Sequence, residues 1–202
     1  MKLKLNFYTR EDTTKIAKEL LGKLLVVPGE NGERVSGMIV EAEAYLGITD
    51  RAAHSFGGRR TPRTEVTYRI GGTVYVFLIY GMYYQLNVVC GKVDSPHVVL
   101  IRALEPVEGI ELMCERRGHS TADNNLTSGP GKLCIALGVN KLLNGDDLLG
   151  QNIWLEDHKT FTDKEIATGK RIGIDYAGED ANLPNRFWLR GNEFVSKPRL
   201  EI

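Results

Sequence analysis

The alternation of apolar and polar positions divides the chain into many short strands and a few short helices. Thr13–Leu21 sets Ile16, Leu20 and Leu21 on one side of a helical turn pattern, and Gly22 ends it. Leu24–Val27 and Val35–Ala44 are strand-like runs, separated by the turn signal Pro28-Gly29-Glu30-Asn31-Gly32. Gly47–Pro62 is polar, rich in Gly and Arg, and reads as a loop. Thr73–Tyr80 and Tyr83–Cys90, aromatic and β-branched, pair as a hairpin across Gly81-Met82. Val98–Ala103 is a further strand. Pro106–Arg117 opens on proline, has apolar residues at 107, 110, 112 and 113, and reads as a helix, as does Gly131–Leu137. Ile153–Leu155, Arg171–Ile174 and Phe187–Arg190 are strand-like. Helices and strands do not alternate strictly, so the expected fold is α+β (mixed α/β), one domain over residues 1–202 built around an antiparallel sheet.

Composition narrows the class. With 202 residues, 42% hydrophobic, and 26 basic against 26 acidic side chains, the chain has the make-up of a globular protein. No apolar run is long enough to span a bilayer, and the basic N-terminus is followed by no apolar stretch or cleavage site, so a cytoplasmic protein without a signal peptide or membrane partner is expected. Cys90, Cys114 and Cys134 are an odd number at wide spacing, which fits reduced thiols better than disulfides or a zinc ribbon. A neutral net charge gives no support to a polyanionic partner, so any such partner must be argued from local charge.

The segment Ile39-Val-Glu-Ala-Glu-Ala-Tyr45 is the richest in chemistry. On a strand Val40, Ala42 and Ala44 share one face, and Glu41, Glu43 and Tyr45 the other. Two carboxylates at that spacing suit a general base and a stabiliser of an oxocarbenium-like transition state. A solvated strand face is the plain alternative. His54 follows in a basic loop, where a lone histidine is more often a surface or hydrogen-bonded residue than a catalyst.

Between residues 51 and 69 stand five arginines (51, 59, 60, 63, 69) and one acid, Glu65. Arginine's fork fits phosphate oxygens, and Gly57-Gly58 lets a ligand approach the backbone; a solvated loop would look the same. Tyr80, Met82 and Tyr83 fall at the hairpin tip, where burial in the protein's own core is least expected. Aromatics beside arginines suit stacking on bases and wedging between base steps. Arg102 lies inside the apolar run Val98–Leu104, where it requires a partner, with Glu41 or Glu43 the obvious choice.

Other motifs fail. Ser128-Gly-Pro-Gly-Lys132-Leu133 lacks the glycine at 126 and the Ser or Thr at 133 that a phosphate loop needs. The four histidines (54, 97, 119, 158) have no metal-ligand spacing, and no cofactor is implied.

Six blocks, Ile39-Val-Glu-Ala-Glu-Ala-Tyr-Leu-Gly47, Ala52-Ala-His-Ser55, Gly57-Gly-Arg-Arg-Thr-Pro-Arg63, Tyr80-Gly-Met-Tyr-Tyr84, Leu100-Ile-Arg-Ala-Leu-Glu-Pro-Val-Glu-Gly109 and Ser128-Gly-Pro-Gly-Lys-Leu-Cys134, resemble the alkyladenine (3-methyladenine, methylpurine) DNA glycosylase family, in its order and near its spacing from about residue 6 to 196. The resemblance implies a curved antiparallel sheet with a β-hairpin that enters the minor groove of double-stranded DNA. It also implies hydrolysis of the N-glycosidic bond of damaged purines without strand cleavage. Within it Glu43 is the general base that activates water, and Arg102 and the Ile172 carbonyl hold that water. Tyr45, His54 and Phe77 wall the base pocket, and Asn87 stands where the side chain discourages normal guanine. Tyr80 fills the gap left by the flipped nucleotide, with Met82 and Tyr83 beside it. Arg59, Thr61, Arg63, Lys132, Lys141 and the Gly173 backbone match positions near the DNA backbone. Phe77 departs from the tyrosine of the best-known members, losing a hydroxyl but keeping a stacking face, and the chain is slightly longer around Lys92–Pro96. A monomer is expected, and for a bacterial member association with the nucleoid.

Two other readings use the same residues. A non-catalytic module that binds damaged nucleic acid would keep the arginines and the aromatic tip but leave Glu43 idle. A hydrolase of free nucleosides would use the two carboxylates but have no use for the tip.

Overall fold

A computed structural model describes residues 1–29 and 31–198. The longest apolar alternation becomes the middle of a sheet. Strand β1 (Leu24–Pro28) leads through the glycine turn into β2 (Arg34–Tyr45); β3 (Val74–Ile79) and β4 (Tyr83–Cys90) form the hairpin; β5 (His97–Glu108) returns beside β2. Shorter strands β6 (Trp154–Glu156), β7 (Ile166–Gly169) and β8 (Arg186–Leu189) complete it. Among the described residues eight strands pair antiparallel in the order β3-β4-β5-β2-β1-β6, with β8 joining β2 to β7. The α+β architecture expected from the pattern is the one found.

Strand β2 changes partner halfway. Its first half, Arg34–Met38, pairs with β1, and Glu41–Glu43 pairs with β8, while β5 runs along its other edge throughout. Register shifts against β5 fall at Ile39/Glu41 and at Glu41/Ala42, and the second leaves Arg102 between the paired residues Ile101 and Ala103. Bulges of this kind bend a strand and re-aim a side chain.

Alternation then sorts chemistry from packing. Val74 and Val76, Leu86 and Val88, Val99 and Ile101, and Ala42 and Ala44 face one continuous apolar core. Helices α2 (Thr13–Leu20), α3 (Ile110–Arg117) and α4 (Pro130–Leu137) add Ile16, Leu20, Met113, Leu133 and Leu137 to it. Each such buried aliphatic side chain contributes about 1.5–3 kcal/mol. Asp12 caps α2, accepting from the Lys15 N–H at 2.9 Å. The opposite face carries Tyr75 and Phe77, Asn87, Leu100 and Arg102, and Glu41, Glu43 and Tyr45. Tyr75, Asn87, Leu100, Glu43 and Arg186 form one row across five strands, because each is the register partner of the next.

Three sequence expectations are corrected, two on element bounds and one on the hairpin turn. Pro106–Glu108 is the end of β5, and the helix begins only at Ile110; a short α1 (Leu5–Tyr8) near the N-terminus was signalled by no periodicity. Gly109, at φ +69, makes the break: a Cβ there would lie 2.9 Å from Val35 Cγ2, so strand and helix meet at a residue without one. Arg171–Ile174 is irregular, and the strand lies earlier, at Ile166–Gly169. Its apolar pattern arises because Ile174 packs on Ala52 and Ala177 in a small separate cluster.

The hairpin turns at Tyr80-Gly81 rather than Gly81-Met82. Both have positive φ (+53 and +70), and the Met82 N–H donates to the Ile79 carbonyl, the requirements of a type I′ turn. Glycine meets that geometry freely, whereas tyrosine at the first position carries about 1–2 kcal/mol of strain.

Candidate active site

The polar face of the sheet ends in a cleft of about 760 Å³, bounded by Tyr45 and Arg102 from the sheet, residues 51–67 on one side and Ile172–Tyr176 on the other. Glu43 lies beneath it and is wholly buried. Its Oε1 accepts from the Ile172 N–H at 2.8 Å and lies 3.3 Å from an Arg102 Nη; its Oε2 accepts from the Tyr45 hydroxyl at 2.9 Å. Those three residues also line the cleft, so any group reaching the carboxylate passes between them. Burial and the neighbouring Glu43 charge push the Tyr45 phenol well above its ordinary value, so it remains a donor.

Glu41 is equally buried, and its carboxylate accepts Arg102 Nε at 2.8 Å. The solvated-face reading of Glu41 and Glu43 is therefore excluded. Arg102 spans both acids. Burial opposes its charge, but Glu43 and Glu41 outweigh that and hold the guanidinium firmly protonated.

The walls are aromatic. His54 meets Phe77 edge-on at 4.7 Å between ring centres, Tyr75 is 5.2 Å from Phe77, and His54 Nδ1 shares a hydrogen bond of 2.9 Å with the Tyr75 hydroxyl. Asn87 donates from Nδ2 to the Tyr75 carbonyl at 3.2 Å, which fixes its amide plane at the cleft wall. The Arg63 guanidinium lies over the Phe77 ring, 4.9 Å from its centre. That ring already attracts a cation.

His54 is held neutral. Burial, then the charges of Arg63 and Arg59, depress it from 6.5 to about 4. An unfolded chain takes up this proton as pH falls through 6.5 and the native protein only near 4, so stability from the neutral ring is present above 6.5 and lost between the two. Its imidazole NMR signals are expected to stay in the neutral form down to about pH 4, and removing Arg63 should raise the midpoint. A midpoint near 6.5 would sink this assignment.

The basic loop divides by function. Arg60 is tied to Glu65 and Asp94 and stacks on Tyr68, and Arg69 donates to the Gly145 carbonyl. Arg51, Arg59, Thr61 and Arg63 face the cleft with Gly173. Tyr80, 81% exposed, stands at its rim; Met82 (65%) and Tyr83 (41%) project from the same tip outside it. Lys132, on α4, donates to the Asn125 side chain, and Lys141 lies in the 3-10 turn Lys141–Leu143, which packs against β3; neither lines the cleft.

Sequence reading missed the support behind the wall. Arg171 makes a buried bidentate pair with Asp50 (2.5 and 2.9 Å), donates to the Ala44 carbonyl at 3.0 Å, and stacks on Tyr45, 4.7 Å from the ring centre. Asp50 also accepts the N–H groups of Leu46 and Ala52. This clamp ties both ends of the cleft to β2 and sets Ile172 against Glu43.

The sequence itself matches the methylpurine-DNA glycosylase family model over residues 6–193, spanning the sheet, the cleft and the hairpin. The chain belongs to the methylpurine-DNA glycosylase family. It is similar to proteins provisionally named 3-methyladenine DNA glycosylase from Clostridium acetobutylicum (50% identical over 97% of this chain and 98% of the relative), Clostridium novyi (48%, 97% and 98%) and Desulfitobacterium hafniense (49%, 94% and 96%). As a methylpurine-DNA glycosylase it is a hydrolase of N-glycosyl bonds whose substrate is DNA. No helix among the described residues is long and apolar enough to cross a membrane.

Proposed function

We propose that this glycosylase draws alkylated purines, and more slowly deaminated ones, out of duplex DNA into the cleft and hydrolyses the N-glycosidic bond with water activated by Glu43, leaving an abasic site for base excision repair. The observation that carries the reading is a fully buried carboxylate held by two hydrogen-bond donors and the Arg102 guanidinium directly beneath an aromatic-walled cleft. As the C1′–N bond lengthens, its electrons pass to the base and positive charge grows on the sugar. Glu43 stabilises that charge and accepts a proton from the attacking water. Arg102 and the Ile172 carbonyl position this water. A purine methylated at N3 or N7 carries positive charge, leaves as a neutral base and needs no acid.

The pocket favours that charge. Tyr45, Phe77 and a neutral His54 offer π faces without a competing cation on the imidazole, and stacking contributes roughly 1–3 kcal/mol per base. Asn87 stands where the exocyclic amine of guanine would meet its fixed amide. Arg59, Thr61, Arg63 and the Gly173 backbone hold phosphates around the flipped nucleotide, while Lys132 and Lys141, outside the cleft, hold phosphates elsewhere on the duplex, and binding weakens with salt. The protein is expected to act as a monomer, since a search for one lesion at a time needs no symmetry.

Tyr80 is the wedge that replaces the extruded base, flanked by Met82 and Tyr83. Its left-handed backbone supports this, because strain at an exposed aromatic is kept only where the side chain is used. Tyr80→Gly is expected to leave the melting temperature unchanged or slightly higher while slowing base release about 10–100-fold, in line with the loss of one stacked ring. A variant that lost stability and kept its release rate would remove Tyr80 from the mechanism. The proposal as a whole is tested by release of free base from methylated and hypoxanthine-containing duplexes, with free nucleosides as the control.

A further inference from the structure

We propose that Glu41 is a positioning residue for hydrolysis: with Arg186 and Ser196 it fixes the aim of Arg102 and balances the charge around Glu43. The inference rests on Glu43 being the base.

Four donors converge on the Glu41 carboxylate. Oε1 accepts Arg102 Nε (2.8 Å), Arg186 Nε (2.8 Å) and Ser196 Oγ (2.9 Å), and Oε2 accepts the Ser196 N–H (2.7 Å). Arg186 is locked in turn, donating to the carbonyls of Ser196 (3.0 Å) and Pro198 (2.6 Å). Glu41, Arg102, Arg186 and Ser196 are all at least nine-tenths buried. A purely structural ion pair has no need of a second arginine shared through one oxygen. Here the sharing leaves Arg102 only one way to point: its Nε is held by Glu41, and its Nη faces Glu43 at 3.3 Å.

The row of register partners explains why Arg186 belongs to this site. It pairs with Glu43 across β2 and β8, but its guanidinium turns to Glu41. Two carboxylates are therefore matched by two arginines, and Arg102 stands between the acids. The other titratable groups around Glu43 are Tyr45 from its own strand and Arg171 and Tyr176 from the segment packed over it. Removing Glu41's charge leaves two arginines facing one carboxylate; removing Arg186 leaves one arginine between two.

Those changes have opposite signs. The test is single-turnover release of 7-methylguanine from methylated duplex DNA, measured across pH for wild type, Glu41→Gln, Arg186→Gln and Ser196→Ala. Glu41→Gln is expected to slow release at least tenfold and move the acid limb of the profile to lower pH by about one unit. Arg186→Gln should also slow release but move that limb upward by a similar amount. Ser196→Ala, which removes one donor and no charge, should slow release several-fold with the limb in place. Duplex affinity should stay within about twofold of wild type throughout. Unmoved limbs in both charge variants, or rates that track only the folded fraction, would overturn the proposal. Should both charge variants fail to fold, a wild-type rate for Ser196→Ala overturns it and a several-fold loss at unchanged affinity supports it. Full release by Glu43→Gln would instead refute the reading beneath, whereas an inactive Glu43→Gln beside wild-type behaviour in the other three would refute only the role of Glu41.

Discussion

Glu43→Gln is expected to slow single-turnover release of methylated purines by about 10²–10⁴-fold, the usual contribution of a positioned general base, while duplex affinity stays within a few-fold. The amide preserves shape. Its oxygen can still accept from the Ile172 N–H beside the Arg102 guanidinium, and the Tyr45 hydroxyl can rotate to accept rather than donate. What is lost is the negative charge beneath the sugar and the acceptor for the water proton. Arg102 keeps Glu41, so no arginine is left without a carboxylate. A variant that releases base at the wild-type rate would show that Glu43 is not the base. Tight lesion binding without release by either protein would mean a damage-binding module, and release from free nucleosides but not from duplex would mean a nucleoside hydrolase.

Asp50→Ala has the largest expected effect on stability, a loss of about 3–5 kcal/mol in urea or thermal unfolding, because it strands a buried Arg171. Two further N–H groups, of Leu46 and Ala52, lose their acceptor. Burial pushes the Asp50 carboxyl up, but Arg171 and those N–H groups outweigh it and hold it below 3.8. A carboxyl depressed in the native state contributes stability above the unfolded value, lost as pH falls through it toward the native one. The wild-type protein should therefore lose this increment below about pH 4, and the variant should have no such loss to show. Because the same clamp sets Ile172 and backs Tyr45, base release corrected for folded fraction should fall as well. A stability change under 1 kcal/mol would show that Arg171 finds another partner.

The period-two pattern of the strands is what made the site readable. Placing Glu43 and Tyr45 on one face required only the alternation of β2, and Arg102 betrayed itself as a charge in an apolar run. The same rule would have found Arg186, which opens the apolar strand Arg186–Leu189 and is among the largest fully buried side chains of the described residues. Asp50 and Arg171 carry no comparable signal: 121 positions separate them, and their pairing depends on where two irregular segments cross the end of β2. The partner change in β2 was equally hidden, since β1 and β8 present similar apolar runs to it. Pro106 shows the converse error. A proline that reads as a helix start is tolerated here near the end of a strand, opposite a register shift at Ser36/Gly37.

The hairpin has a mechanical consequence. Beyond Asn87, β4 has lost β5 as a neighbour, so Tyr83–Leu86 and their partners on β3 form a ribbon only two strands wide, backed by α4 as far as Tyr83, with Tyr80 at its free end. Two strands alone are marginally stable and twist easily, while β2 is paired on both edges. The molecule is thus a broad sheet with a narrower, helix-backed arm. If the tip meets a duplex as proposed, strain is expected to fall on this narrow arm before it reaches the sheet around Glu43, two strands away.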